Sequence, residues 1–152
     1  MQQKNAKPAG QDRQNQGVSS GTPPESATVL LVDDDPMVRD IVREILALAG
    51  FHVLQAADAD EALLHCERHQ GPIHLLLTDV QMPGMNGCRL ASLVAAARVE
   101  TKLLLMSGYA DDAVLRYGIE TLGAAYIQKP FLPNGLLKTV RAVLAVGVTA
   151  PA

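Results

Sequence analysis

Short apolar runs alternating with longer stretches of helical period predict an α/β fold, five βα units arranged around a parallel sheet. Three observations carry this. The runs TVLLV, IHLLLT and KLLLM are nearly all apolar, as strands covered on both faces must be. Capping residues and prolines open the intervening segments, and glycines close several of them. Polar, chemically useful residues collect where the apolar runs stop.

Taken in order, Thr28 to Val32 is the first strand, and Asp35 with Pro36 then supplies an N-cap and a first-turn proline for a helix closed by Gly50. His52 to Ala56 is the second strand. Asp58 and Glu61 form a D-x-x-E capping pattern for a second helix ending near Gly71-Pro72. Ile73 to Thr78 is the third strand, and Asn86-Gly87 precedes a helix reaching about Val99. Lys102 to Met106 is the fourth, followed by a helix opened by Asp111-Asp112 and ended near Gly123. Ala124 to Ile127 is the fifth, and Pro133 begins a last helix running to about Val146. Residues 1–26, rich in Gln, Asn, Gly, Pro and Ser, have too little apolar surface to offset the entropy of ordering and read as a disordered tail. The folded domain is expected over 27–147, with 148–152 frayed.

Composition narrows the function. The chain has 152 residues, 48% apolar and 19% charged, and 13 Lys plus Arg against 16 Asp plus Glu give a formal charge of -3. Without a basic surplus, neither nucleic acid nor an acidic membrane is an expected partner. Cys66 and Cys88 lack C-x-x-C or Cys/His spacing, which fits buried thiols in a reducing compartment. No signal-like segment and no apolar run near the roughly 20 residues needed to span a bilayer is found, so a cytoplasmic location is expected. His52, His65, His69 and His74 show no metal or triad spacing, and Met82, Met85 and Met106 read as packing residues.

In open α/β sheets the ligand site lies beyond the carboxyl ends of the strands. Strand one ends in Asp33-Asp34-Asp35, strand three in Thr78-Asp79, strand four in Ser107-Gly108 and strand five in Gln128-Lys129-Pro130. Carboxylates gathered at one rim repel each other, and a hard divalent cation, Mg2+ above all, keeps them ionised. Magnesium uses one or two carboxylates and completes its shell with water and phosphate oxygens, which leaves one carboxylate as a nucleophile. Lysine and a hydroxyl are suited to neutralising phosphoryl oxygens. Each feature alone has an ordinary reading: an Asp run is a turn and cap, Ser107 starts a turn, Lys129 is a solvated strand end. Their convergence at four strand ends points to phosphoryl transfer onto aspartate.

The segments VLLVDDDPMVR, LLLTDVQMPGMNG, LLLMSGYA and AAYIQKPF resemble the receiver domain of bacterial response regulators, over about Ala27 to Val146. That resemblance implies a flavodoxin-like (βα)5 fold with strand order 2-1-3-4-5. It implies that Asp79 accepts a phosphoryl group from a phosphohistidine, and that the protein catalyses only its own phosphorylation and dephosphorylation. Asp34 and Asp79 would bind Mg2+ directly, Asp33 through water, and the backbone carbonyl of Gln81 would be a further ligand. Ser107 and Lys129 would hold phosphoryl oxygens, Tyr126 would be the aromatic switch residue, and Lys129-Pro130 would be cis. Asp35 stands where the family often has Glu, so it is read as a helix cap. The expected partners are a histidine kinase or histidine phosphotransfer protein and an unnamed downstream protein. MPGMNG and SGYA resemble receivers attached to hybrid kinases or standing alone in phosphorelays, and a free-standing, single-domain regulator is expected. Two other readings are weaker. A receiver-fold interaction module independent of phosphorylation would not need Asp34, Asp79, Ser107 and Lys129 together. A small-molecule phosphatase would have an acid two residues after its nucleophile, where this chain has Gln81.

The first helix adds a docking expectation. At 100° per residue, Met37, Leu48, Ile41, Ile45, Val38, Ala49, Val42 and Leu46 fill an arc of roughly 180°, against the roughly 100° that a core-facing stripe requires. The excess is expected to leave Met37, Val38 and Ile41 at an edge beside Asp34, where a histidine-bearing donor would approach. Burial of that excess by neighbouring helices is the competing reading.

Overall fold

The computed structural model describes residues 26–108 and 112–146. The expected tail, apart from Ser26, and the segment 148–152 lie outside the described residues. Five parallel strands, β1 (Thr28–Val32), β2 (His52–Ala56), β3 (Leu75–Asp79), β4 (Lys102–Ser107) and β5 (Ala125–Gln128), form one sheet in the order β2-β1-β3-β4-β5. Between and after them run α1 (Pro36–Leu48), α2 (Ala59–Arg68), α3 (Gly87–Ala97), α4 (Ala113–Leu122) and α5 (Pro133–Ala145).

Strand alternation divides the interior in two. Leu30, Val32, Leu76, Leu103 and Leu105 face Ala62, Cys66, Leu90, Val94 and Leu115 of α2, α3 and α4. Val29, Leu31, Leu75, Leu77, Leu104 and Met106 face Val42 and Leu46 of α1 and Leu136 and Val140 of α5. Helices therefore cover both faces, which is why β1, β3 and β4 carry apolar side chains almost without interruption. Cys66 and Cys88 are free, buried thiols, as expected, and burial raises both above the ordinary thiol value.

The capping signals act as read. Asp35 accepts from Met37 N at 2.9 Å and Val38 N at 3.4 Å with Pro36 in the first turn, and Gly50 follows α1 at φ 100. Asp58 accepts from Glu61 N, and Glu61 reaches back to Ala57 N, both at 2.8 Å. Several boundaries differ. β3 starts at Leu75 instead of Ile73 and runs through Asp79, because Val80 N still donates to Met106 O at 2.9 Å. β4 likewise includes Ser107, whose carbonyl accepts from Lys129 N at 2.8 Å. β5 begins at Ala125 because Ala124 N turns to Gly118 O at the end of α4. α2 stops at Arg68 and α3 at Ala97, short of the expected ends, where the backbone at His69 and Arg98 leaves helical geometry. Asp112 caps α4 through Val114 N, while Asp111 lies outside the described residues. Among the described residues no helix is long and apolar enough to cross a membrane.

Candidate functional site

The strand order decides what meets at the carboxyl edge. β1 and β3 are neighbours, so the residues following Val32 arrive beside Asp79, the last residue of β3. Asp33, Asp34 and Asp79 each place a carboxylate oxygen within 4.8 Å of the others. Asp33 is wholly buried and Asp79 nearly so, whereas Asp34 is open to solvent. Asp35 points its carboxylate at α1 and stays outside the cluster, as its capping role requires.

Lys129 completes the group from the far side of β4. Its Nζ lies 3.1 Å from Asp33 Oδ2 and 3.4 Å from Asp79 Oδ1. The Lys129-Pro130 bond is cis, as the resemblance implies. Burial pushes the Asp79 carboxyl above the usual carboxylate range; Lys129 pulls it down, and the negative charges of Asp33 and Asp34 push it up. Burial alone would lower Lys129, but Asp79 and Asp33 outweigh it and hold the ammonium above the ordinary lysine value.

Ser107 ends β4 one residue beyond the partner of Asp79 and is fully buried. Tyr126 pairs with Leu105 and leans, half-buried, on the core beneath α2, α3 and α4. Its hydroxyl is buried with no hydrogen-bond partner among the described residues. Gln81 sits two residues past Asp79, and its side chain is directed to Asp112 at 2.6 Å. On α1, Met37 and Ile41 are 70% and 55% exposed, while Val38 packs partly against the core under α1 and α5. The predicted docking edge is thus divided: its first and last members are open, and Val38 is drawn inward because it shares a helical face with Val42.

Two contributors had escaped the sequence. Arg39, one turn into α1, donates to the backbone carbonyl of Asp33 at 2.7 Å and steadies the acidic loop. Gly87 begins α3 so close to β3 that a Cβ there would stand 2.0 Å from the Asp79 carbonyl oxygen. Asn86-Gly87 announced a helix start; nothing local announced that the helix begins against the backbone of Asp79.

The donor set suits a hard cation. All three groups are carboxylates, they outnumber the lysine that bridges two of them, and Asp34 opens to water, which Mg2+ retains in its shell. Asp34 and Asp79 would hold the ion with Asp33 behind them, and a bound ion would supply positive charge to phosphoryl oxygens.

A parallel 2-1-3-4-5 sheet with an acidic rim at its carboxyl edge defines a flavodoxin-like fold carrying a site suited to a cation. The profile of the response regulator receiver domain matches residues 29–141, and the chain belongs to that family. The transcriptional regulatory protein AruR of Pseudomonas aeruginosa is 32% identical over 116 residues, 74% of this chain and 47% of the relative. CpxR of Escherichia coli, also a transcriptional regulatory protein, is 36% identical, covering 76% of this chain and 48% of its own length. The chain thus spans about half the length of these two relatives. Among solved structures, a CheY-like receiver domain protein from Methanospirillum hungatei superposes with a TM-score of 0.72 at 32% identity, over 78% of this chain and 94% of the other. The fold is therefore that of two-component receivers, a family in which phosphorylation on aspartate is general and Mg2+ is bound in an acidic pocket of this kind.

Proposed function

We propose that Asp79 is the phosphoacceptor of a Mg2+-dependent receiver that takes its phosphoryl group from a phosphohistidine of a histidine kinase or phosphotransfer protein. A carboxylate oxygen of Asp79 attacks phosphorus, the P–N bond to the donor imidazole breaks, and the imidazole leaves with the electron pair and takes up a proton. The observation that carries this reading is the position of Asp79: nearly buried, at a strand end, between one ammonium and two further carboxylates. Lys129 is within reach to pair with a phosphoryl oxygen, relieving a site otherwise rich in negative charge.

On this reading Ser107 supplies a hydroxyl to the phosphoryl group and Tyr126 is the reporting residue. Support comes from its hydroxyl, buried without a partner among the described residues: such an atom, left unpaired, costs about 1 to 3 kcal/mol, so a rotation that pairs it is favoured. The output is a change in protein partner, delivered in the cytoplasm.

Intact-mass measurement after incubation with acetyl phosphate and Mg2+ tests the assignment. Wild type is expected to gain one phosphoryl group, and both Asp79→Ala and wild type with excess chelator to gain none. Equal modification of Asp79→Ala would place the chemistry elsewhere.

A further inference from the structure

Gln81 and Asp112 are joined across two loops that border the site. Gln81 Nε2 donates to Asp112 Oδ2 at 2.6 Å, while Asp112 Oδ1 accepts from Val114 N at 2.7 Å and caps α4. An ionised carboxylate only accepts, so it is the amide nitrogen, and not its oxygen, that faces Asp112. The bond to Gln81 first, and that from Val114 N second, hold the Asp112 carboxyl below its usual range. One carboxylate therefore performs two tasks, fixing the start of α4 and anchoring the side chain two residues beyond Asp79.

What that anchoring withholds follows from the chemistry of an acyl phosphate. Its hydrolysis requires a water oxygen to attack phosphorus while the bond from phosphorus to the Asp79 oxygen breaks; the carboxylate leaves with the electron pair and the water proton passes to solvent. A side-chain amide beside the phosphoryl group accelerates such a step by accepting from the water at its oxygen and donating to a phosphoryl oxygen from its nitrogen. Gln81 has the right group, but one N–H of its amide is bonded to Asp112, which fixes where that amide sits. The geometry points to Asp112 as a positioning residue that holds the Gln81 amide away from the phosphorylated Asp79 and so prolongs the signal. This rests on the reading of Asp79 as phosphoacceptor.

The test is a cycle of substitutions in the full chain. Protein charged with acetyl phosphate and Mg2+ is freed of donor, and loss of the phosphoryl mass is followed for wild type, Asp112→Ser, Gln81→Ala and the double variant. Serine still caps α4 but is too short to hold Gln81, and a thermal melt verifies that the fold is kept. Asp112→Ser is expected to shorten the half-life about fivefold when Gln81 is present, the order of effect of one hydrogen bond. Placed on the Gln81→Ala background, the same change is expected to have no further effect. Equal shortening on both backgrounds would mean that Asp112 acts through α4, and no change or a longer life in the single variant would equally overturn the proposal. Absence of any phosphoryl mass on wild type would instead overturn the Asp79 reading, and this one with it.

Discussion

Asp79 is held at a cost. Its carboxyl is buried next to two other carboxylates, and burial together with their repulsion raises its proton affinity above that of the unfolded chain despite Lys129. Between the unfolded and the raised folded pKa the native state binds a proton that the unfolded chain has released, so this group's contribution to stability falls as pH rises through that window. Above the window the full penalty is present; well below it, none. Asp79→Asn keeps the shape and removes the charge, and Lys129 keeps Asp33 as a partner. The variant is expected to be more stable than wild type by about 1 kcal/mol at pH 8, a modest share of the cost of burying a charged group imperfectly. The gain should shrink toward pH 3, where Asp79 is protonated in both states. Urea unfolding at the two pH values measures this, and an Asn variant less stable than wild type at pH 8 would contradict the account. Sequence reasoning reached this residue because its signal is local: an apolar run that ends in a carboxylate. It could not reach Gly87, whose role is set by a backbone arriving from another element.

At the level of elements, the misplaced end of α2 is instructive. Gly71-Pro72 looked like the stop, yet the helix ends at Arg68 and the chain from His69 to Gly71 hangs on a side chain from elsewhere. Arg98, at the end of α3, donates to Cys66 O at 3.0 Å, to His69 O at 2.8 Å and to Gly71 O at 2.8 Å. Carbonyls at a helix C-terminus lack intrahelical partners and carry partial negative charge, so one guanidinium answers both needs. A sequence presents such an arginine as one more charged residue, since its partners lie 27 to 32 positions away. Arg98→Ala is expected to lower stability by about 2 kcal/mol, and Arg98→Lys to recover less than half of that, because an ammonium cannot span the three carbonyls. Urea midpoints at neutral pH decide it; full recovery by lysine would reduce the role of Arg98 to its charge.

For the molecule as a whole, the arrangement of strands was available from family resemblance alone: periodicity counts strands but does not order them. Order is nonetheless what makes the site, since β1 beside β3 unites the three carboxylates. The outer surface of α1 is where the domain's relation to a donor can be examined. Met37 and Ile41 are open beside the acidic rim, and replacing both with Asp should leave the melting temperature within about 2 °C, as exposed substitutions generally do. Phosphorylation by a histidine-phosphorylated protein donor is expected to drop at least tenfold, with acetyl phosphate still effective. Loss with both donors would mean damage to the site, and loss with neither would remove α1 as the docking face. Val38 is left intact in this test because it belongs partly to the interior.

The bond between Lys129 and Asp33 joins residues 96 positions apart, the acidic partner coming first. A ribosome adding about 5 to 20 residues per second therefore releases the carboxylates that follow the first strand roughly 5 to 20 seconds before it has made the lysine that will balance them. Throughout that interval the nascent chain presents Asp33 and Asp34, and then Asp79, without their built-in cation. Any compact state reached before the fifth strand emerges gathers these carboxylates without the lysine that balances them, so it is expected to lean on Arg39 and on dissolved cations more than the finished domain does.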